Sequence, residues 1–260
     1  MITSIKELIN YRELIIALTL REIKVRYKQT LLGAAWAILQ PLALTIIFTV
    51  VFSLFLKIDT GSIPYPIFAY SALLPWTFFT TSINFGALSV VNNGSLVTKI
   101  YFPRETLPIS SIAAAFFDFL IAGVIFILLV VYYKVTVTPY IFLLIIIIPA
   151  IVIFTLGVTL IFSALNVIFR DIKFVVPLIL QIWLYISPII YSMNQVPENI
   201  RGVYVINPMA PLLEAFREVT VEGKLPDLVG LAIAILASII TFLLGYAFFK
   251  SKEKIFADVI

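Results

Sequence analysis

Hydrophobic residues run along this chain in long stretches that polar residues interrupt only at intervals. A helix that crosses the ~30 Å hydrocarbon core of a bilayer needs about 20 mostly apolar residues. Six stretches reach that length, and none alternates between apolar and polar positions as the strands of a membrane β-barrel do. They cover residues 31–56, 66–91, 107–133, 140–165, 174–193 and 227–249. The pattern therefore predicts an all-α integral membrane protein with six transmembrane helices.

Composition supports the membrane interpretation. Hydrophobic residues make up 62% of the chain and charged residues 12%, whereas soluble domains carry roughly 25% charged residues. Cysteine and histidine are absent, so the chain lacks the commonest soft metal ligands and general base, and we predict no metal site. The first 30 residues mix charged with apolar side chains, which predicts no cleavable signal peptide.

Lysine and arginine are unevenly distributed between the two sides of the predicted membrane domain, residues 31–249. The N-terminal segment 1–30, loops 92–106 and 166–173, and the tail 250–260 carry most of them. The other side carries only Lys57, Lys134, Arg201, Arg217 and Lys224. Cytoplasmic loops are enriched in basic residues, so both termini are predicted to be cytoplasmic.

Residues 1–30 are predicted to form an amphipathic helix that lies on the membrane surface. Ser4 and Glu7 have the spacing of a capping box. Apolar residues then recur every three or four positions, with mostly polar residues opposite them. They are Ile5, Ile9, Ile16, Leu20, Ile23 and Tyr27. Such a helix buries its apolar face at the acyl boundary, and it serves either as a plain anchor or as a docking surface for a cytoplasmic partner.

Two predicted cytoplasmic loops are candidates for contact with a partner. In loop 92–106, "SLVTKIYF" can form one or two helical turns before "PRE" restarts the chain. Helix connections are usually two to eight residues long, so this longer loop is either a simple connection or an element that receives force. Loop 166–173 contains the adjacent Arg170 and Asp171, which either flank two spans or contact a partner.

Residues 194–226 are too interrupted to cross a bilayer, because Asn207-Pro208 and Ala210-Pro211 break the helix. Four apolar residues are expected to point inward, namely Met209, Leu212, Leu213 and Phe216, and four charged residues toward water, namely Glu214, Arg217, Glu218 and Glu222. Irregular backbone is tolerated at membrane depth only where protein or a wet cavity covers it. The segment is therefore either a re-entrant element that closes an outer gate or an ordinary amphipathic outer loop.

The sequence contains no energy source of its own. Its one Gly-Lys pair, Gly223-Lys224, is followed by Leu225 and so lacks the pattern of a P-loop. Asp118 is the one clearly intramembrane acid, and it is either paired with a polar group of a neighbouring helix or involved directly in transport. The chain shows no clear inverted repeats, as a secondary carrier would. Its scattered cytoplasmic acids also disfavour a membrane-embedded glycosyl- or phosphotransferase. We therefore predict a transport subunit, not an enzyme, that a partner drives.

Aromatic residues are abundant, with 22 Phe, 12 Tyr and 3 Trp. Tyrosine and tryptophan near span ends normally form interfacial belts, and eight residues fall there. They are Tyr65, Tyr70, Trp76, Tyr132, Tyr133, Tyr140, Tyr191 and Tyr204. Alternatively, some rings line a wet pathway for sugars, whose apolar faces stack on aromatic rings. The candidates for a channel lining are Trp36, Gln40, Trp76 and Asp118.

Four segments resemble a known family. They are "REIKVRYKQTLLGAAWAILQPL" (21–42), "KIYFPRETLP" (99–108), "NVIFRDIKFVVPLILQIWLYISPIIY" (166–191) and "INPMAPLLEAFR" (206–217). In this order and spacing they resemble the permease subunit of type-2 ABC exporters for polysaccharides. That family includes Wzm-type O-antigen permeases and their capsule and teichoic-acid relatives.

The resemblance implies a homodimer in the bacterial inner membrane that binds two cytoplasmic ATPase subunits, which hold ATP and magnesium. It implies export of a lipid-linked, O-antigen-like polysaccharide, with a teichoic-acid or capsule glycan as the alternative. A stand-alone secondary carrier is the alternative outside this family. The other implied partners are membrane lipids, and binding of nucleic acid is not implied. Coupling to the ATPase is implied for Lys24, Arg26, Lys28, Ser95, Lys99, Tyr101, Arg104, Glu105, Arg170 and Asp171. The resemblance also implies a pair of short re-entrant outer helices over residues 194–222. An outer gate is implied for Tyr191, Asn207, Pro208, Met209, Pro211, Phe216 and Arg217.

Overall fold

The computed structural model describes residues 7–28, 30–58, 60–61, 63–197, 204 and 207–259. Within these ranges the backbone forms helices joined by turns and contains no strand. The helices are α1 (Arg12–Tyr27), α2 (Trp36–Phe48), α3 (Tyr65–Asn92), α4 (Gly94–Lys99), α5 (Thr106–Tyr132), α6 (Leu144–Ile168), α7 (Ile172–Ile186), α8 (Met209–Arg217), α9 (Leu228–Lys252) and α10 (Phe256–Val259). Single π-helical segments extend α2 (Thr49–Phe55) and α8 (Glu218–Glu222), and 3₁₀ turns are Gly33–Ala35, Pro139–Leu143, Met193–Gln195 and Glu253–Ile255.

Among the residues that the structure describes, four helical segments are long and apolar enough to cross a membrane, and they make this a multi-pass membrane protein. They are Trp36–Phe55, Thr106–Tyr132, Pro139–Ile168 and Leu228–Val259. The predicted second and fifth spans differ from these four. Helix α3 is 28 residues long but carries more polar residues, and α7, with 15 residues, rises about 22 Å.

Helix α3 forms the centre of the bundle, packed between α5 and α6. Enclosure explains why its composition is less apolar, since few of its side chains would meet lipid. Its burial also corrects the aromatic-belt prediction for three residues: Tyr65, Tyr70 and Trp76 are 4%, 0% and 3% exposed. Tyr132 and Tyr140 remain on the surface, as belt residues would.

Helices α6 and α9 approach each other through glycine. A Cβ added at Gly157 would lie 2.6 Å from the backbone nitrogen of Phe242, and one at Gly245 would lie 2.3 Å from the Gly157 carbonyl oxygen. Small residues allow such close contact between membrane helices. This contact fixes α9 against the bundle.

The bundle has two distinct ends. At the end that we call the basic end, α1, α4 and α10 meet through Leu18, Val97, Phe102, Phe249 and Phe256. At the opposite end, which we call the far end, the start of α3 meets the turn after α7 and helix α8. The turns around residues 60 and 134 also lie there, so consecutive long helices alternate in direction between the two ends.

Helix α1 lies against the basic end. Tyr11, Leu14 and Leu18 pack on the body of the protein, whereas Ile9 and Ile16 are more than half exposed. Ile9, Ile16 and Leu20 of the predicted apolar face therefore remain open on the surface, where lipid or a partner can cover them, whereas Tyr27 of the same face is half-buried. Ile5 and the predicted capping residue Ser4 lie outside the described residues.

Candidate functional site

Loop 92–106 contains a short helix, as the sequence predicts. Helix α4 is held to the body by Val97, which is 2% exposed, and by Phe102. Ser95 and Lys99 are exposed, and Tyr101 in the following turn is 80% exposed. The loop thus presents a polar helix face and a free aromatic ring beyond the basic end.

The "PRE" segment is tied to the end of α9 by an ion network, which changes the expectation for Glu105. The Arg104 guanidinium donates to the Glu253 carbonyl at 2.8 Å. The Glu105 carboxylate is fully buried and accepts from Lys250 Nζ at 2.8 Å and from the Tyr246 hydroxyl at 3.2 Å. Lys250 also donates to Glu253 at 2.9 Å. A carboxylate at this depth needs such partners, so Glu105 faces α9 and not a partner protein.

The other residues predicted to couple the chain to an ATPase divide into two groups. Lys24 and Lys28 of α1 and its following turn are exposed, as are Arg170 and Asp171 before α7. Phe169 beside them is 59% exposed. These side chains are available to a partner, whereas Arg26 is not.

Arg26 points into the protein, which corrects its predicted place on the docking surface. Its side chain is 8% exposed and donates to Asp118 at 2.8 Å and to the Ser111 carbonyl at 3.2 Å. Its guanidinium carbon lies 4.0 Å from the centre of the Phe85 ring. Tyr27 also donates to Asp118, and burial, with this carboxylate, raises the pKa of the Tyr27 phenol. Asp118 is therefore a paired carboxylate that joins α5 to α1.

A groove of 1110 Å³ lies beside this cluster, between α1, α2, α3 and α5. Three of the predicted channel residues line it, namely Trp36, Gln40 and Asp118. The fourth, Trp76, is enclosed in the core, with its ring centre 5.4 Å from that of Phe79. It cannot line a channel because α3 turns it away from the surface.

The sequence prediction missed the polar side of this groove. Thr77, Thr81, Asn84 and Asn92 of α3 all line it. Their spacing of three, four and eight residues places them on one helix face. The spacing was visible in the sequence, but the surrounding apolar residues identified the segment only as a span.

Arg217 is fully buried at the far end, although the sequence analysis placed it in water. It donates to Glu214 at 2.7 Å and to the Pro188 and Ile189 carbonyls at 2.7 and 3.2 Å, and it lies 3.9 Å from the Phe68 ring centre. The reason is that Pro188 and Ile189 lie in the buried turn after α7, where their backbone carbonyls have no helical partner and need donors. The guanidinium supplies them and thereby fastens α7 to α8.

The acidic residues of this segment share one side of α8 and its π-helical extension. Burial, followed by the charges of Glu214 and Glu222, raises the pKa of Glu218 to about 7. Burial likewise raises the pKa of Glu214, against the opposing charge of Arg217. The Glu214 side chain is only 16% exposed, so its predicted place in water is also wrong.

The inward-facing residues of α8 follow the prediction. Met209, Leu212 and Leu213 are fully buried and Phe216 is 3% exposed. Pro208 and Pro211 lie half-buried at the start of the helix.

Asn207 holds the start of α8 to the end of α7. Its carbonyl oxygen accepts from Trp183 Nε1 at 2.9 Å and from the Met209 backbone at 3.1 Å, and its amide donates to Ser187 at 3.0 Å. The hydroxyl of Tyr191 donates to the Tyr185 carbonyl at 3.1 Å. It also lies 2.6 Å from the Tyr204 hydroxyl. The predicted gate residues thus form one packed unit.

A sequence profile of the ABC-2 type transporter family matches residues 13–221, from α1 to the end of α8. The chain belongs to the ABC-2 type transporter family. The family predicted from the four sequence segments is therefore confirmed.

Relatives of this ABC-2 transporter match over nearly their whole length. It is 30% identical to the O-antigen export system permease protein RfbA of Myxococcus xanthus, over all of both chains. It is 29% identical to RfbA of Klebsiella pneumoniae, over 95% of each chain. It is 26% identical to the polysialic acid transport protein KpsM of Escherichia coli, over 92% of this chain and 93% of the relative.

Proposed function

We propose that this chain is the membrane permease subunit of an ATP-driven exporter that moves lipid-linked, O-antigen-like polysaccharide across the bacterial inner membrane. The observation that carries the proposal is the full-length similarity to an O-antigen export permease. A capsule-type glycan is the alternative, supported by the more distant similarity to the polysialic acid transport protein.

Six passes through the membrane, with both termini cytoplasmic, fit the alternation of helices between the two ends. Helix α3 would be the second pass, shielded from lipid by α5 and α6. Helix α7 would be the fifth pass. It is too short to cross the bilayer alone, so the buried turn after it and the re-entrant helix α8 would complete the crossing. Basic residues at the end that carries α1, α4 and the C-terminus support this orientation.

A partner subunit would supply the energy. Two cytoplasmic ATP-binding subunits would hold ATP and magnesium, and closing them on ATP would move α4. The exposed Tyr101 and Ile100 suit a partner's apolar cleft, and the Glu105–Lys250 pair would pass the movement to α9.

A second copy of the chain would complete the translocation path. Helix α7 leaves one apolar face open, with Phe174, Leu178, Ile182 and Tyr185 each more than half exposed. Their spacing of three and four residues gives one continuous stripe. Helix α2 is also largely open, so these two helices are the proposed dimer surface.

The outer mouth would be closed by α8 at rest. The chain lacks cysteine, so Met209→Cys introduces a single thiol at a fully buried position. We expect no reaction with a membrane-impermeant thiol reagent at rest and reaction once ATP is bound. Leu225→Cys, at a position 51% exposed, is the control and should react in both states. Equal reaction of Met209→Cys in both states would refute the gate.

The coupling role is tested in the complex with its ATP-binding partner. Ile100→Ala combined with Tyr101→Ala should lower both glycan export and glycan-stimulated ATP hydrolysis, because the ATPase loses its contact with α4. Tyr132→Ala is the matched control, since that ring is 76% exposed but lies at the far end. Unchanged export and stimulation in the double variant would exclude coupling through this loop.

A further inference from the structure

We propose that the groove between α1, α2, α3 and α5 is a binding subsite for an uncharged, hydroxyl-rich glycan segment and discriminates against polyanionic glycans. This inference rests on the polysaccharide export proposed above and adds the charge class of the substrate. It also separates this chain from an exporter of an acidic polymer.

The groove is long enough to hold an extended chain. It begins beside α4 at Asn92 and Ser95 and reaches Leu74, more than halfway along α3. Between Asn92 and Leu74 the helix rises about 27 Å. The groove thus leads from the proposed coupling element into the apolar depth of the bundle.

Free polar groups line this path. The side chains of Thr77, Thr81, Asn84 and Asn92 on α3, and of Gln40 on α2, line the groove. None of these five side chains makes a hydrogen bond to the part of the protein that the structure describes. An amide in an apolar setting is costly without a partner. Of the five, Thr77, Thr81 and Asn84 are half-buried, and Asn92 and Gln40 are exposed. These hydroxyl and amide groups on facing helices suit a ligand that offers many hydroxyl groups.

Charged groups in the groove compensate each other. Among the described residues, four charged side chains line it: Arg21, Glu22, Arg26 and Asp118. Arg26 is paired with Asp118 at 2.8 Å, and Arg21 donates to Asn93 and lies 3.5 Å from Glu22. Recognition of carboxylates or phosphates uses arginines that are free to form bidentate bonds. The groove offers no such excess of cations, so it suits a neutral sugar chain.

An exposed aromatic ring is available for stacking. Trp36 is 52% exposed at the groove, and the apolar face of a sugar ring can pack on an indole. The face of Phe85 is already covered by the Arg26 guanidinium. A few polar groups beside an aromatic ring are the usual means by which a site orients a ligand.

The test compares a neutral oligosaccharide with an anionic derivative of the same oligosaccharide. Isomaltoheptaose and its carboxymethylated derivative are titrated onto the complete complex in lipid nanodiscs, at low and high salt. We expect saturable binding of the neutral probe that salt does not change, and weaker binding of the charged probe. Asn84→Leu and Gln40→Leu should each weaken neutral binding about fivefold, as expected for one lost hydrogen bond. Asn10→Leu, an exposed amide outside the groove, should have no effect.

A second measurement does not depend on loss of binding in a variant. Thr81→Cys places the chain's one thiol in the groove, and the neutral probe should slow its reaction with a soluble maleimide while the charged probe does not. Failure of the neutral probe to bind or protect, or tighter and salt-sensitive binding of the charged probe, would overturn the inference. If export is intact in every groove variant, the subsite alone is refuted. Absence of ATP-driven glycan export by the wild-type complex would instead refute the proposed function.

Discussion

Replacing Arg217 with methionine should destabilise the chain strongly, because this guanidinium lies fully buried where α7 meets α8. The change removes one partner of the ion pair with Glu214, whose side chain is 16% exposed. It also removes the donor to the Pro188 and Ile189 carbonyls. Methionine fills a similar volume, so the loss is mainly polar.

The magnitude follows from the number of groups left without a partner. Removing one member of a buried ion pair costs about 3–5 kcal/mol, largely because the other charge remains buried. Each carbonyl that loses its donor adds at most about 1–3 kcal/mol, and these contributions overlap. We therefore expect the free energy of unfolding to fall by about 4 kcal/mol.

Unfolding of the detergent-solubilised chain by sodium dodecyl sulfate, followed by tryptophan fluorescence, measures this change. Arg217→Lys keeps the charge but loses the fork that bridges two carbonyls, so it should lie between wild type and Arg217→Met. Replacing Glu214 with leucine in the Arg217→Met background should restore part of the stability, since the lone carboxylate is removed. A loss below about 0.5 kcal/mol, the range of ordinary surface substitutions, would refute the reasoning.

Three further predictions concern other parts of the chain. Gly157→Ala should destabilise by about 1–3 kcal/mol through overpacking against α9, whereas Gly123→Ala, with open space around it, should be neutral in the same unfolding assay. Glu105→Gln should weaken the contact with Lys250 and lower the free energy of unfolding by about 2 kcal/mol. It should also speed hydrogen exchange in α4, and unchanged exchange would contradict the proposed role of the Glu105–Lys250 ion pair. The raised pKa of Glu218 means that the folded chain binds its proton more tightly, so stability should fall from pH 4.5 to about 7 and level off above. Glu218→Gln should remove this dependence of stability on pH. If the dependence persists, a group other than Glu218 causes it.

Much of the fold could be predicted from the sequence because membrane helices are encoded in local apolar runs. The short helix in loop 92–106 and the inward side of Met209–Phe216 follow from residue spacing within a few turns. Local pattern also identified Asp118 as unusual. It did not identify its partner, because Arg26 lies 92 positions away in the chain and only the packing of α1 on α5 brings the two together.

The errors share a physical cause. Charged residues were assigned to water because isolated charges avoid apolar surroundings, yet Arg217 and Glu105 lie inside where long-range partners compensate them. Trp76 was assigned to a channel because an aromatic ring in a span has no preferred side in the sequence. Its burial follows from α3 being enclosed by α5 and α6, which is a property of the bundle.

Export by a purified system tests the central proposal most directly. The chain and its ATP-binding partner are reconstituted into liposomes with a fluorescent, lipid-linked O-antigen-type glycan on the outer leaflet. The glycan in the lumen is then measured with ATP outside. We predict ATP-dependent accumulation that a non-hydrolysable ATP analogue abolishes and that requires both subunits. Accumulation by this chain alone under an ion gradient, or none with ATP and both subunits present, would contradict the proposal.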